Sequence, residues 1–573
     1  STGQAGHCQG CFRADTGRQM CKELPDFRGT RFVAIIPCIT VWGHVKRSLW
    51  HKRNTEDLLT MRIPRNRTLL ISVLIFLVAF IPRSYIALQP IPTQLQKTLP
   101  DDAYYYFLTA QNILDGDGPS VDGRNDSNGW HPLWLAVNLI VFSQFDEQTD
   151  TPIHLSLLLG AVADSFVAIV LFSVLRRFID DKAAAVGALF YTINSMPMLQ
   201  SVNGLETGLA ALLIALSWAI SVRAAIRPQF AIAALWGAVF GLCFLARTDT
   251  ALILLPLGVF VLKTLPSARR WPFVAIGVLT ALLVTTPWFV INTLEFGSPL
   301  AQTSATAVPT AIQMRHELKT PDIPLWRLSI DTITEPAPWL RGDYFGAPAI
   351  LAFLLWPMGV WGLGRAWSSA ELRALWLSCV ALLLGGVALI AVHTLIRWYP
   401  RPWYFVVNAQ VLAISLSFCW VFISPRARLV GFGIVSALLL AFGILMWRAG
   451  YYPWQDRQYK ASTWLRQQTL PTDVIASMNS GIMGYYSGRT VINLDGVVNP
   501  QAFDAITHSR LLDYMREEDV RYFVDFDHAV HNEYGPFLSD DYADQLEEIA
   551  VIDEPYEGLG SMRVYRLQSV GAE

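Results

Sequence analysis

Two adjacent carboxylates, Asp101 and Asp102, begin the segment DDAYYYFLTAQNILDGDG. Apolar residues recur after them at helical spacing until two glycines end the pattern. We therefore predict a helix with one face on a membrane surface and Tyr105 on another face. A single aspartate is enough to cap the first turn of a helix. We expect one acid to cap or orient the helix and the other to act as a general base.

Further ionisable residues occur where predicted membrane spans reach the same surface. Glu206 lies between two glycines in NGLETG, and Asp249 lies in ARTDT, where a structural pair with Arg247 is the simpler interpretation. Ionisable groups at membrane depth are costly and are usually functional. The sequence therefore favours a functional role for Glu206, and for Asp249 it leaves pairing and substrate binding open.

Four cationic or titratable side chains accompany these acids: His131, His393, Arg397 and Arg401. Guanidinium groups bind phosphate through bidentate hydrogen bonds. Arginines and aromatic residues that reach for the membrane interface would give the same pattern in HTLIRWYPRPWY. A carboxylate base beside such cations suits attack on a lipid-linked phosphate ester, because the acid accepts a proton and the cations stabilise the leaving phosphate.

The composition determines where this chemistry takes place. The chain has 573 residues, of which 53% are hydrophobic and only 16% charged, so we predict a polytopic α-helical membrane protein. The formal net charge of −2 gives no reason to expect a nucleic acid partner.

Hydrophobic runs of about 20 residues predict about eleven spans. They lie near 69–88, 153–175, 183–201, 204–222, 229–246, 250–264, 271–291, 344–364, 373–392, 404–423 and 428–447. Clusters of arginine and lysine in alternate short loops place the N-terminus inside and the acids outside. This count requires that residues 131–145 form an interfacial helix within a first external loop, 89–152.

The regions at the two ends differ from this membrane domain, which we assign to residues 61–450. Residues 1–60 are predicted to be a disordered or non-native extension, and their C-x-x-C motif only weakly resembles a metal site. Residues 451–573 alternate β-branched runs with turns and predict an external α/β domain. Within that domain, Asn493 and Asp495 either bind sugar hydroxyls or cap turns.

The order of these motifs, from DDAYYYFLTAQNILDGDG through NGWHPLW, GLETGL and LARTDT to GIMGYYSGRTVINLDGVVNP, resembles the GT-C superfamily of membrane glycosyltransferases. Within that superfamily the sequence is most similar to the AftB-like arabinofuranosyltransferase group. The resemblance implies an inverting enzyme of the plasma membrane. Its donor would be a polyprenyl-phosphate sugar, and its acceptor a cell-envelope glycan, lipid or protein on the extracytoplasmic face.

The resemblance also implies roles for particular residues. Asp101 would be the catalytic base, with Asp102 as its neighbour and Glu206 as a second acidic group. His131 stands where several relatives have a phosphate-binding lysine, which makes Arg397 and Arg401 the better candidates for the donor phosphate. The remaining predicted substrate contacts are Tyr105, Asn128, Trp130, Asp249, Asn493 and Asp495.

Two other functions fit parts of the sequence. A transporter or flippase of lipid-linked sugars would share the spans, but it favours charges at the midplane and internal repeats. A non-enzymatic scaffold would use the external domain to bind polysaccharide. No cofactor is indicated with certainty, and the acidic segment DGDGPSVDGRND leaves a divalent cation open although it lacks the spacing of an EF-hand.

Overall fold

The computed structural model describes residues 65–145, 149–301, 304, 306–348 and 369–568. Up to Ala449 this part of the chain is helical. The apolar helices are Arg65–Ala87, Thr151–Leu175, Asp181–Ile193, Ser195–Gln200, Thr207–Ile226, Phe230–Ala246, Ala251–Thr264, Ser267–Phe296, Ala370–Leu395, Val406–Phe422 and Pro425–Ala449. They pack around one large core of aliphatic and aromatic side chains, as expected of a multi-pass membrane protein.

The predicted count of eleven spans is not confirmed. Six described helices are long and apolar enough to cross a membrane. At 1.5 Å per residue, the 14 residues of Ala251–Thr264 are short for a hydrocarbon core of about 30 Å. The predicted run 183–201 is broken at Asn194, which is extended and caps the following helix through Met196. Most of the predicted run 344–364 lies outside the described residues, as does the whole 1–60 extension with its cysteines.

Shorter helices connect the long ones. They are Ile91–Lys97, Asp101–Asp115, Pro132–Phe142, Ala307–Lys319, Leu325–Thr334 and Pro336–Leu340. The helix Asp101–Asp115 is named here the acidic helix. Its expected membrane-facing side is not observed, because every residue from Ala103 to Ala110 is buried in protein. The 11 residues of Pro132–Phe142 are too few to cross a bilayer.

The C-terminal domain, Gln455–Leu567, is a five-stranded sheet with helices on both faces. Its strands are β1 (Val474–Ser477), β2 (Thr490–Asn493), β3 (Val520–Phe526), β4 (Leu546–Tyr556) and β5 (Gly560–Leu567), in the order β2-β1-β3-β5-β4. The first three strands in this order are parallel, and β5 pairs with β3 and β4 antiparallel.

Apolar residues on both faces of the parallel strands require helices on both sides. One face is covered by Pro500–Thr507, Leu511–Glu517 and Gly535–Leu538, and the other by Gln455–Gln468. The remaining short elements are the helices Gly481–Ser487 and Tyr542–Gln545 and the π-helix His528–Glu533.

A second core holds the acidic helix between the bundle and the C-terminal domain. Tyr104 and Phe107 of the acidic helix share this core with Ile482 and Tyr485 of the C-terminal domain. On the bundle side, a Cβ at Gly204 would lie 2.7 Å from Leu99 and 2.8 Å from Ala103, and its φ is +77°. Glycine therefore allows the turn that carries Glu206 to approach the acidic helix closely.

Candidate active site

Asp101 connects the acidic helix to the C-terminal domain. Its carboxylate accepts the backbone N–H of Gly481 at 3.1 Å and that of Ile482 at 2.7 Å. The side chain is buried, and burial raises the pKa of Asp101 to about 7 even though both N–H groups lower it. Pro100, not an aspartate, occupies the N-cap position of the acidic helix. Asp101 therefore binds the first turn of a different helix and has both oxygens occupied.

Asp102 is exposed, in contrast to its neighbour. Surrounding protein nevertheless raises the pKa of its carboxyl group by desolvation; the positive charge of Arg401 opposes that effect, and the negative charge of Glu206 adds to it. An open carboxylate flanked by protein on several sides is accessible to a substrate. It is also more basic than a free aspartate, which suits a general base.

Arg401 is the cation that faces Asp102. Its guanidinium lies 5.5 Å from the Tyr399 ring and 5.7 Å from the Trp403 ring, and the side chain is half-buried. Within the part of the chain that the structure describes, it makes no hydrogen bond or ion pair of its own. A guanidinium oriented by aromatic rings and free to donate is suited to a phosphate oxygen.

The guanidinium of Arg397, unlike that of Arg401, is hydrogen-bonded to another side chain. The residue adopts a left-handed backbone conformation with a φ of 60°, and its Nη2 donates to Gln313 at 3.3 Å, while its buried Nε has no partner among the described residues. Gln313 belongs to the helix Ala307–Lys319, which also contacts the C-terminal domain through Arg315 and the carbonyl oxygen of Glu533. Arg397 therefore lies beside a helix that is tied to the C-terminal domain.

Glu206 is buried in a network centred on Arg247. Its Oε2 accepts the hydroxyl of Tyr106 at 3.0 Å, and its Oε1 lies 3.5 Å from Arg247 Nη1. His131 Nε2 is 3.9 Å away, but burial lowers the pKa of this imidazole, so it contributes little positive charge at neutral pH. Glu206 is 3% exposed, and its two oxygens lie against Tyr106 and Arg247.

Asp249 completes the network as the pair with Arg247 that the sequence suggested. Arg247 Nε donates to its Oδ1 at 2.9 Å, and His393 Nε2 lies 3.6 Å from its Oδ2. Burial raises the pKa of Asp249, but Arg247 and His393 outweigh it and bring the pKa to about 2. His393 is buried with its ring 4.2 Å from that of Tyr404. Arg247, Asp249, His393 and Tyr404 therefore form one packed cluster on the bundle side of the candidate site.

Two predicted substrate contacts near the bundle are engaged by protein. Asn128 is buried and its amide donates to Asn292 at 3.4 Å. The Trp130 ring packs 5.0 Å from Trp288, while its buried indole N–H has no partner among the described residues. Both residues thus lie against the helix Ser267–Phe296, which carries Trp288 and Asn292.

The turn after β2 brings C-terminal residues to the acidic helix. Asn493 is buried, with its amide nitrogen donating to the carbonyl of Met478 at 3.2 Å and to the Tyr105 hydroxyl at 3.3 Å. Its oxygen accepts the N–H of Gly496, so Asn493 forms the turn. Asp495 is only half-buried, and its Oδ1 accepts the N–H of Val497 at 2.8 Å.

Tyr106 was missed at the sequence level, and Arg247 was considered only as a partner of Asp249. Tyr106 lies four residues after Asp102 and therefore on the same face of the helix, a spacing that could have identified it. Arg247 contacts both Glu206 and Asp249, which lie in different turns. No local spacing in the sequence indicates the contact with Glu206. In the described ranges, no group of three or more His, Cys, Asp or Glu residues is arranged to hold a metal ion.

The helical bundle and its C-terminal α/β domain share their fold with solved structures of two membrane-protein types, an oligosaccharyltransferase and ArnT. The chain is similar to an oligosaccharyltransferase of Archaeoglobus fulgidus tethered with an acceptor peptide: TM-score 0.54, 14% identity, 88% of this chain and 74% of that chain covered.

It is also similar to ArnT from Cupriavidus metallidurans bound to undecaprenyl phosphate, with a TM-score of 0.52, 14% identity and 88% and 98% of the two chains covered. A third similar structure is the oligosaccharyltransferase AglB from Archaeoglobus fulgidus in complex with an inhibitory peptide and a dolichol-phosphate. Its TM-score is 0.52 and its sequence identity is 15%, with 88% of this chain and 74% of that chain covered.

Comparison of sequences adds one match. Residues 447–567 match a family described as a domain of unknown function, DUF8728. No curated protein matches the chain.

Proposed function

We propose that the protein is an inverting glycosyltransferase that moves a sugar from a polyprenyl-phosphate donor to an acceptor at the extracytoplasmic face of the plasma membrane. The observation that carries this proposal is the open carboxylate of Asp102, on which the charge of Arg401 acts, together with an Arg401 guanidinium that has no ion-pair partner among the described residues. The GT-C fold supports it, since two similar structures contain undecaprenyl phosphate and dolichol-phosphate.

In this proposal the roles of the adjacent aspartates are the reverse of the sequence-based assignment. Asp102 is the base, because its carboxylate is open and its pKa is raised. Asp101 is a positioning residue, because both its oxygens accept N–H groups of the C-terminal domain. Adjacent residues of a helix point about 100° apart, and of the two only Asp102 is exposed. The region that Asp102 shares with Arg401 and Asp495 is named here the recess.

The reaction transfers one group and one proton. The acceptor oxygen bonds to the anomeric carbon while the bond from that carbon to the phosphate oxygen breaks, and its electron pair leaves with polyprenyl phosphate. Asp102 takes the acceptor proton. Arg401 stabilises the charge that develops on the phosphate, with Arg397 as a second donor. His131 donates a hydrogen bond without a full charge, and His393 is engaged by Asp249.

The acceptor class and the extracytoplasmic side of the C-terminal domain are predictions from the sequence, which leaves transfer of a hexose and of a pentose both open. The resemblance to arabinofuranosyltransferases favours a pentose, and a cell-envelope glycan, lipid or protein is the acceptor class. A divalent cation has no assigned role, because the arginines can supply the positive charge that the phosphate requires.

The test uses the purified full chain in detergent with polyprenyl phosphates that carry a radiolabelled pentose or hexose. We expect release of the sugar, by transfer or by slow hydrolysis, and loss of that release in Asp102→Asn. If the folded protein releases no sugar from any of these donors, the proposal is wrong. Movement of the intact donor across proteoliposome membranes would then favour a flippase.

A further inference from the structure

The C-terminal domain contributes a carboxylate of its own to the recess. Asp495 lies in the turn after β2, which packs on the loop before Pro132–Phe142; a Cβ at Gly129 would lie 2.4 Å from the carbonyl oxygen of Val497. The same turn contacts the acidic helix through Asn493 and Tyr105. The phenol of Tyr105 faces Asp495 as well as the two aspartates of the acidic helix. The turn is thus fixed against both elements that carry the site.

Asp495 retains an open oxygen in this position. Its Oδ1 is occupied by Val497, but the side chain is only half-buried, and the negative charge of Asp102 acts on it directly. Among the described residues, the titratable groups that act on Asp102 or Asp495 include Asp101, Tyr105, Glu206, Arg401, Tyr404, Tyr452 and Tyr534. Glu206 is paired with Arg247 at 3.5 Å, so the negative charge next to Asp495 is mainly that of Asp102.

We propose that Asp495 positions the acceptor, and that the acceptor is a neutral, polyhydroxylated molecule such as a glycan. This inference rests on the proposed function. Asp102 takes the proton of the hydroxyl that reacts, while Asp495 hydrogen-bonds a neighbouring hydroxyl. An acceptor that carries phosphate or carboxylate would meet the negative charge of Asp102, which disfavours it.

A negative charge on Asp102 disfavours ionisation of the Asp495 carboxyl group. Burial raises the pKa of Asp495 to about 8, and the charge of Asp102 adds to this effect, so Asp495 carries a proton at neutral pH. A protonated Asp495 donates a hydrogen bond to an acceptor oxygen. Above about pH 8 it loses that proton, and its negative charge repels the anionic base.

The test compares octyl glycosides with analogues that lack one hydroxyl next to the reacting position. We expect Asp495→Ala to raise the acceptor KM about tenfold with a donor KM within about twofold of the parent, the size expected for one lost hydrogen bond. The parent should prefer the intact glycoside, and this preference should disappear in Asp495→Ala. Asp544→Asn, an exposed change on the same domain, is the matched control.

The variant Asp495→Asn tests whether Asp495 is protonated when it binds the acceptor. Asp495→Asn keeps an acceptor for the Val497 N–H and can still donate, so we expect a near-parental acceptor KM at pH 7. Its activity should no longer fall above about pH 8, because asparagine does not ionise. If Asp495 were only structural, its replacement would leave the fall in activity above about pH 8 unchanged.

Three results would overturn the inference while leaving the proposed function intact. The first is a parental acceptor KM in Asp495→Ala, and the second is an unchanged alkaline limb in Asp495→Asn. The third is a parent that hydrolyses the donor but uses none of the glycosides. Failure of the parent to release sugar from any donor would instead reject the proposed function.

Discussion

The carboxylate of Asp101 accepts the backbone N–H of Ile482 at 2.7 Å across 381 residues of sequence. The neighbouring N–H of Gly481 binds the other oxygen at 3.1 Å, and a Cβ at that glycine would lie 2.5 Å from the carbonyl oxygen of Asp101. This contact fixes the acidic helix against the C-terminal domain. It also separates the anchoring function of Asp101 from the chemistry that we assign to Asp102.

The anchoring role predicts a loss of stability in Asp101→Asn. The amide cannot accept both N–H groups, so one buried donor loses its partner at a cost of about 1–3 kcal/mol. We expect a lower Tm in detergent and faster proteolysis of the C-terminal domain. Asp102→Asn should match the parent in both measurements, and an equally stable Asp101→Asn protein would contradict the role.

Burial of the Asp101 carboxyl group predicts a pH dependence of stability. The folded-state pKa of Asp101 is raised from 3.8 to about 7, so the folded protein binds this proton more tightly than the unfolded chain. The stabilisation is present below pH 4 and is lost as pH rises to 7. Between pH 5 and 7, the Tm of the parent should therefore fall more than that of Asp101→Asn. Equal slopes for the two proteins would argue against it.

The catalytic assignment predicts that Asp102→Asn lowers kcat by roughly 10²–10⁴-fold, the usual contribution of a positioned base. Donor binding should remain, because the arginines are unchanged. The measurements are turnover with a polyprenyl-phosphate sugar and, separately, binding of that donor. If Asp101→Asn lost more turnover per folded molecule than Asp102→Asn, the base would instead be Asp101.

The phosphate assignment predicts that Arg401→Ala raises the donor KM by roughly 10–100-fold through the loss of charge-assisted hydrogen bonds. Arg401→Lys should recover part of the affinity, since it restores the charge without the fork geometry. Arg426→Ala changes an exposed arginine at the start of the helix Pro425–Ala449 and is the control. A parental donor KM in Arg401→Ala would transfer this role to Arg397.

The network around Arg247 predicts a mainly structural effect of Glu206→Gln. Loss of the 3.5 Å contact with Arg247 and weakening of the 3.0 Å bond from Tyr106 should cost about 1–3 kcal/mol of stability. Activity should fall, but less per folded molecule than in Asp102→Asn. Thermal unfolding and turnover of the same preparation check this. Parental stability combined with complete loss of turnover would assign Glu206 a catalytic role.

Introduced cysteines test on which side of the membrane the C-terminal domain lies. The native Cys243, Cys379 and Cys419 are buried, so a variant whose N-terminal cysteines are replaced by serine gives a low background. A membrane-impermeant maleimide added to intact cells should modify Asp544→Cys and not Arg269→Cys. Both positions are exposed, and permeabilised cells provide the positive control for each. The opposite pattern would place the site in the cytoplasm.

The sequence by itself determined the class of this protein and the end of the bundle that carries its acids. Apolar runs must be buried in lipid or protein, and arginines in alternate loops mark one end of the bundle. Glu206 at the start and Arg223 near the end of Thr207–Ile226 follow this rule. The switch to β-branched runs indicated the C-terminal sheet in the same way.

Only the tertiary structure distinguishes the environments of Asp101 and Asp102. Neighbouring residues of a helix share composition and local environment, but they face different partners, and those partners come from distant segments. A helix 380 residues away occupies one carboxylate and leaves the other open. The contacts of Arg247 and Asp495 could not be predicted for the same reason. They depend on long-range packing, which local periodicity does not encode.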